Sequence, residues 1–153
     1  KSLAFCAGHT GIAGGQELDL KFENKKKSLK QIIEMQKKKT GKLFNFCLYA
    51  VGVLANRSNK EKNLLSKLGE EIGLLFQLAD DLLDIKGSKR LVGKSINKDY
   101  KKGKSTLIKL MGYEKANIYA NNLEKKILLK LKKHGKKAKD LSETIEFILG
   151  RNF

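Results

Sequence analysis

Three carboxylates and one amide crowd a single apolar stretch of the sequence. They are Gln77, Asp80, Asp81 and Asp84, within Gly73-Leu-Leu-Phe-Gln-Leu-Ala-Asp-Asp-Leu-Leu-Asp-Ile85. On a helix, residues four apart project from one face, which pairs Asp80 with Asp84. Gln77 precedes Asp80 by three residues, Asp81 by four and Asp84 by seven, so all four line one polar stripe. Such a stripe is locally unfavourable. Asp is a poor helix former, its charge opposes the dipole toward a helix C-terminus, and like charges repel. A hard divalent cation offsets all three, because carboxylate oxygens are the ligands that Mg²⁺ prefers, with Mn²⁺ a possible substitute. Mg²⁺ takes one or two protein carboxylates and completes its shell with water and phosphate oxygens, which points to a phosphate-bearing substrate. The alternatives are a solvated acidic patch or carboxylates paired with lysines. A ferritin-like di-metal centre needs Glu-x-x-His pairs on facing helices. The two histidines, His9 and His134, have no such partners and read as surface or loop residues.

The elements that must position this stripe are helices. The chain has no proline, and its apolar residues recur at helical spacing, which predicts an all-α protein. Lys1 to Ala13 reads as the end of a helix broken by Gly14 and Gly15, followed by a polar loop from Leu18 to Lys27. Ser28 suits the N-cap of a helix running to about Lys38. A second helix spans about Gly41 to Ala55, with Leu43, Phe44, Cys47, Leu48, Val51 and Leu54 apolar. Asn59 opens the longest helix, about Lys60 to Ile85, whose apolar face includes Leu64, Leu65, Leu68, Ile72, Leu75, Phe76 and Ala79. Gly69 and Gly73 each cost this helix about 1 kcal/mol relative to Ala, which predicts close approach of a neighbouring helix. A polar loop from Gly87 to Lys104 follows, then helices at about Thr106–Met111, Tyr113–Lys133 and Ala138–Leu149, punctuated by Gly112 and Gly135.

The bulk properties bound the rest. At 153 residues and 41% hydrophobic, the chain fits one domain or a piece of one. No run approaches ~18 consecutive apolar residues, so no stable membrane insertion is expected, and no secretory signal is visible. The sequence begins without Met, which suggests that an N-terminal part is missing. Cys6 and Cys47 lie in apolar helical stretches and read as buried, reduced thiols of a cytoplasmic protein. The net charge is +17, but only three of the 33 basic residues are arginine. Specific nucleic-acid readers favour Arg forks and interleaved aromatics, whereas these lysines are scattered and aromatics are 7%. A lysine-biased solvated surface is favoured over a nucleic-acid interface.

Phe76-Gln77-Leu-Ala-Asp80-Asp81-Leu-Leu-Asp84 resembles the second aspartate-rich motif of the trans-isoprenyl diphosphate synthases. Other pieces of that pattern appear in order. Gly14-Gly15-Gln16-Glu-Leu-Asp19-Leu is similar to the family's GGQ-x-x-D-L segment, and Lys39-Thr40-Gly41 to its KTG motif. Gly93-Lys94, Asp99 and Gly103-Lys104-Ser105-Thr106 resemble its glycine–lysine loop. Ile148-Leu149-Gly150-Arg151-Asn152-Phe153 is similar to the tail of the bacterial farnesyl diphosphate synthases. The resemblance covers essentially the whole chain.

It implies the C-terminal half of an isoprenoid synthase-type helical bundle around a central cavity, in which two DDxxD helices hold Mg²⁺ against an allylic diphosphate. Carried onto this sequence, Asp80, Asp81 and Asp84 would serve the metal. Lys39, Lys94 and Lys104 would contact the diphosphate, and Thr40 and Gln77 would sit beside the reacting carbon. The implied reaction joins an allylic diphosphate (dimethylallyl or geranyl) to isopentenyl diphosphate through an allylic cation, giving a farnesyl-type product in a homodimer. The first DDxxD and the upstream isopentenyl diphosphate residues are absent from this chain, so residues 1–153 alone are expected to be inactive. The only other paired acids, Glu70-Glu71, face differently. Asn97 stands where the family often has Gly, and Asn tolerates the left-handed backbone better than most residues. Two other functions compete: a non-catalytic synthase-like subunit, and a basic helical nucleic-acid-binding module. The retained KTG, Gln77, DDxxD and GK residues oppose the first, and the diffuse lysines oppose the second.

Overall fold

The computed structural model describes residues 1–91 and 106–151, with side chains for 1–86 and 106–151. Every regular element among them is helical. The chain forms two compact units, Lys1–Leu74 and Leu75–Phe153, and the boundary falls inside the longest helix.

The first unit contains α1 (Ser2–Ala7), α2 (Ile12–Phe22), α3 (Leu29–Gln36), a π-helical turn (Lys37–Gly41), α4 (Lys42–Leu54) and the start of α5 (Asn59–Leu91). Two helix starts are fixed by local chemistry. Ser28 and Gln31 form a capping box: the Gln31 amide donates to Ser28 Oγ at 3.3 Å, and the Ser28 amide donates to Gln31 Oε1 at 3.0 Å. Ser58 and Glu61 repeat it ahead of α5, with the Glu61 amide donating to Ser58 Oγ at 3.3 Å. The core of this unit draws on Phe22, Ile32, Met35, Leu68, Ile72 and Leu74.

Three expectations need correction here. Gly14 and Gly15 do not end a helix. Both are buried inside α2, and the helix continues to Phe22 through part of the expected loop. The reason is contact with the π-turn: a Cβ on Gly15 would lie 2.2 Å from the Lys39 amide nitrogen. These glycines serve close approach rather than chain reversal. Second, α5 runs beyond Ile85 to Leu91, so part of the expected Gly87–Lys104 loop is helical. Third, Cys47 and Leu64 are exposed, along with Leu43, Val51 and Leu54 of the expected apolar face. Cys6 is buried as expected, and both cysteines are free thiols. The expectation for Gly69 and Gly73 holds. A Cβ on Gly69 would meet the Phe44 carbonyl oxygen at 2.3 Å, and one on Gly73 would meet Gly41 Cα at 2.6 Å. Here α4 and the preceding turn lie backbone to backbone against α5.

The second unit holds the rest of α5, then α6 (Leu107–Met111), α7 (Tyr113–Lys132), a 3₁₀ turn (Gly135–Ala138) and α8 (Lys139–Gly150). Thr106 caps α6 by accepting from the Lys109 amide at 3.1 Å. Gly112 (φ 83°) and Gly135 (φ 57°) take the left-handed backbone that separates consecutive helices. Leu75, Leu78, Leu107, Ile127 and Ile145 are fully buried, so α5, α6, α7 and α8 all contribute to this core. No helix among the described residues is long and apolar enough to cross a membrane.

Candidate functional site

In the second unit, α5 offers a polar stripe beside a buried face. Leu75, Leu78, Ala79 and Leu82 face the core. Gln77, Asp80 and Asp81 are half-buried, and Asp84 is exposed. The helical period alone produces this division. The stripe is a connected one: Gln77 Nε2 donates to Asp81 Oδ1 at 3.1 Å. The amide thus orients a carboxylate one turn on.

Asp80 has a partner that sequence reasoning left without a role. Arg151 Nη2 donates to Asp80 Oδ1 at 2.9 Å, across 71 residues of sequence. The same guanidinium donates through Nε to the Ile148 carbonyl oxygen at 3.0 Å and lies 4.8 Å from the centre of the Phe76 ring. Its presence in the tail motif was the only sequence signal.

In the first unit, Lys39 and Thr40 sit in the π-helical turn. Such turns widen a helix by one residue and recur at functional sites. Lys39 Nζ forms an ion pair with Asp19 Oδ2. Asp19 is the buried acid of α2, four residues after the glycine that packs on the π-turn. The GGQ-x-x-D-L segment therefore grips the KTG segment twice, by backbone contact at Gly15 and by charge at Asp19. Asp19 also had no role in the sequence reading, although its motif was noticed.

Replacing Asp19 with Asn is expected to lower folding stability by about 1–2 kcal/mol, since it strips the counter-charge from a lysine side chain only 31% exposed. Chemical denaturation of the two proteins checks this, and superimposable midpoints would contradict it. Glu70, of the Glu70-Glu71 pair, is a structural carboxylate. It accepts from Lys42 Nζ at 2.6 Å and from Asn45 Nδ2 at 3.1 Å. Lys94, Lys104, Asn97 and Asp99 lie outside the described residues.

The donor set on α5 suits a hard cation. It is all oxygen, anionic and open to solvent on one side, with the Asp80 side chain 39% exposed. Among the described residues no group of three or more His, Cys, Asp or Glu side chains is placed to hold a metal ion by itself. An ion held by these carboxylates would therefore complete its shell with water and anionic oxygens from a ligand, as Mg²⁺ commonly does.

Comparison with known proteins places these motifs in context. A family model described as Polyprenyl synthetase matches residues 4–148. The farnesyl diphosphate synthase of Bacillus subtilis is 35% identical over 114 residues, covering 74% of this chain and 38% of that protein. The farnesyl diphosphate synthase of Escherichia coli is 34% identical over 155 residues, covering 98% of this chain and 52% of that protein. Among solved structures, an FPP/GFPP synthase from Zymomonas mobilis superposes with a TM-score of 0.80 at 32% identity, covering 96% of this chain and 48% of that one. A geranyltransferase from Helicobacter pylori, solved in complex with magnesium and isoprenyl diphosphate, gives a TM-score of 0.78 at 30% identity, covering 97% and 49%. The chain spans about half the length of these relatives.

Proposed function

The chain belongs to the polyprenyl synthetase family, and from that premise we propose that the polypeptide carrying residues 1–153 is a short-chain trans-prenyltransferase. It condenses dimethylallyl or geranyl diphosphate with isopentenyl diphosphate, releases diphosphate and forms farnesyl diphosphate. The observation that carries this reading is the half-exposed stripe of Gln77, Asp80 and Asp81 on a helix whose Leu75, Leu78, Ala79 and Leu82 are buried.

The chemistry assigns each residue a task. The allylic C–O bond breaks with its electron pair leaving on diphosphate, so negative charge develops on the leaving group. Mg²⁺, when bound, supplies charge neutralisation to that group. Asp80 is the principal ligand in this proposal, with Asp81 and Asp84 holding the ion directly or through water. Lys39 supplies a point charge to the diphosphate, and its pairing with Asp19 keeps the ammonium in one place until the ligand arrives. Lys94 and Lys104 are assigned the same task on the strength of the family pattern alone. Thr40 and Gln77 present oxygen dipoles that stabilise the allylic cation. The double bond of isopentenyl diphosphate then attacks the cation, and a proton is lost to restore the alkene. Apolar walls exclude water, which would quench the cation.

A homodimer in the cytoplasm completes the proposal, as does a lack of turnover by residues 1–153 alone. Calorimetry tests the central claim. The full polypeptide is expected to bind a non-ionisable thiodiphosphate analogue of the allylic substrate only when Mg²⁺ is present. No binding at millimolar Mg²⁺, or equal binding with a chelator, would overturn it.

A further inference from the structure

Arg151 is held in place by groups other than Asp80. Its Nε donates to the Ile148 carbonyl at the end of α8, and its guanidinium plane lies over the Phe76 ring. A helix C-terminus favours a cation, and an aromatic face favours a guanidinium. The side chain is 17% exposed. These anchors hold the fork independently of Asp80. Asp80, by contrast, is 39% exposed, and its contact with the fork is made through one oxygen, Oδ1. Where a preset donor meets a more exposed carboxylate, the donor positions the carboxylate.

We propose that Arg151 is a positioning residue for Asp80, fixing the carboxylate through Oδ1 so that Oδ2 is presented to the metal. The proposal rests on the reading of Asp80 as a metal ligand. Ligating carboxylates are commonly oriented by a second hydrogen-bond partner, and loss of that partner weakens metal binding by roughly 10–100-fold. A fork that merely competed with the cation for Asp80 would have the opposite effect. A fork that only tied α8 to α5 would alter stability and leave the metal affinity alone.

The test is a Mn²⁺ titration of the full polypeptide followed by electron paramagnetic resonance, with inorganic diphosphate present. The proteins are the wild type, Arg151→Gln, Arg151→Lys and Asp80→Asn, each with its thermal midpoint recorded. Arg151→Gln is expected to bind Mn²⁺ at least ~10-fold more weakly than wild type. Arg151→Lys keeps the charge and the stem but lacks the fork, so it should fall between them with its fold intact. If Arg151→Gln does not fold, the Lys variant alone decides, and wild-type affinity there overturns the proposal. Arg151→Gln within twofold of wild type, or tighter, while Asp80→Asn loses binding, overturns the positioning role and leaves the metal reading standing. Wild-type binding no stronger than that of Asp80→Asn removes the metal reading and this proposal together.

Discussion

Asp80→Ala in the full polypeptide is expected to lower kcat/KM by ~10³-fold or more, a transition-state loss of about 4 kcal/mol. The loss should fall mainly on kcat, because the interaction strengthens as charge moves onto the departing diphosphate. The substitution also strips Arg151 Nη2 of its acceptor. That costs stability, but only about 1 kcal/mol, because the guanidinium keeps its contacts with Ile148 and Phe76. The two effects separate cleanly: a folded protein with normal cooperativity and almost no turnover is the predicted phenotype. Asp84 is exposed where Asp80 is half-buried, so Asp84→Ala should cost considerably less under the same assay. Steady-state kinetics with geranyl and isopentenyl diphosphate decide the matter. Asp80→Ala activity within tenfold of wild type would remove Asp80 from the chemistry.

Gly15→Ala is expected to cost stability heavily. A methyl group on a solvated helix normally gains about 1 kcal/mol over glycine. At Gly15 the added Cβ would sit 2.2 Å from the Lys39 amide nitrogen, 2.5 Å from Lys39 Cα and 2.7 Å from the Lys38 carbonyl carbon. All three are backbone atoms, so no side-chain rotation relieves the clash. Helix α2 and the π-turn must part, and the net loss is expected to be roughly 3 kcal/mol. Parting them also moves Lys39 away from Asp19, which lies on the same helix as Gly15. Gly150→Ala is the matched control, because nothing lies within 4 Å of its added Cβ. Denaturant midpoints should fall for Gly15→Ala and stay level or rise for Gly150→Ala. Equal behaviour of the two variants would refute the backbone contact.

Features that depend on near neighbours were legible along the chain. Helical spacing of apolar residues foretold the all-α architecture, and Ser28, Gly112 and Gly135 marked where helices begin or end. Capping bonds and left-handed turns join residues only a few positions apart, so their signals are written locally. The stripe of Gln77, Asp80, Asp81 and Asp84 was legible for the same reason, since one helical period sets it. The family pattern was legible too, because its motifs are short and keep their order.

Tertiary structure decided whatever depends on the surface across the gap. Gly14 and Gly15 read as helix breakers because glycine's local preference is to break. The helix runs on through Gly15, and the residue is glycine because the backbone of Lys38 and Lys39 leaves no room for a Cβ there. Leu64 and Cys47 read as core by periodicity, yet nothing in the first unit covers them. The pairing of Lys39 with Asp19 spans 20 residues, and that of Arg151 with Asp80 spans 71. Such partners are chosen by how helices pack, and no local rule of spacing names them. The chemistry of the aspartates was thus written in one turn of helix. The groups that hold Asp80 and Lys39 in position came only from the packing within each unit.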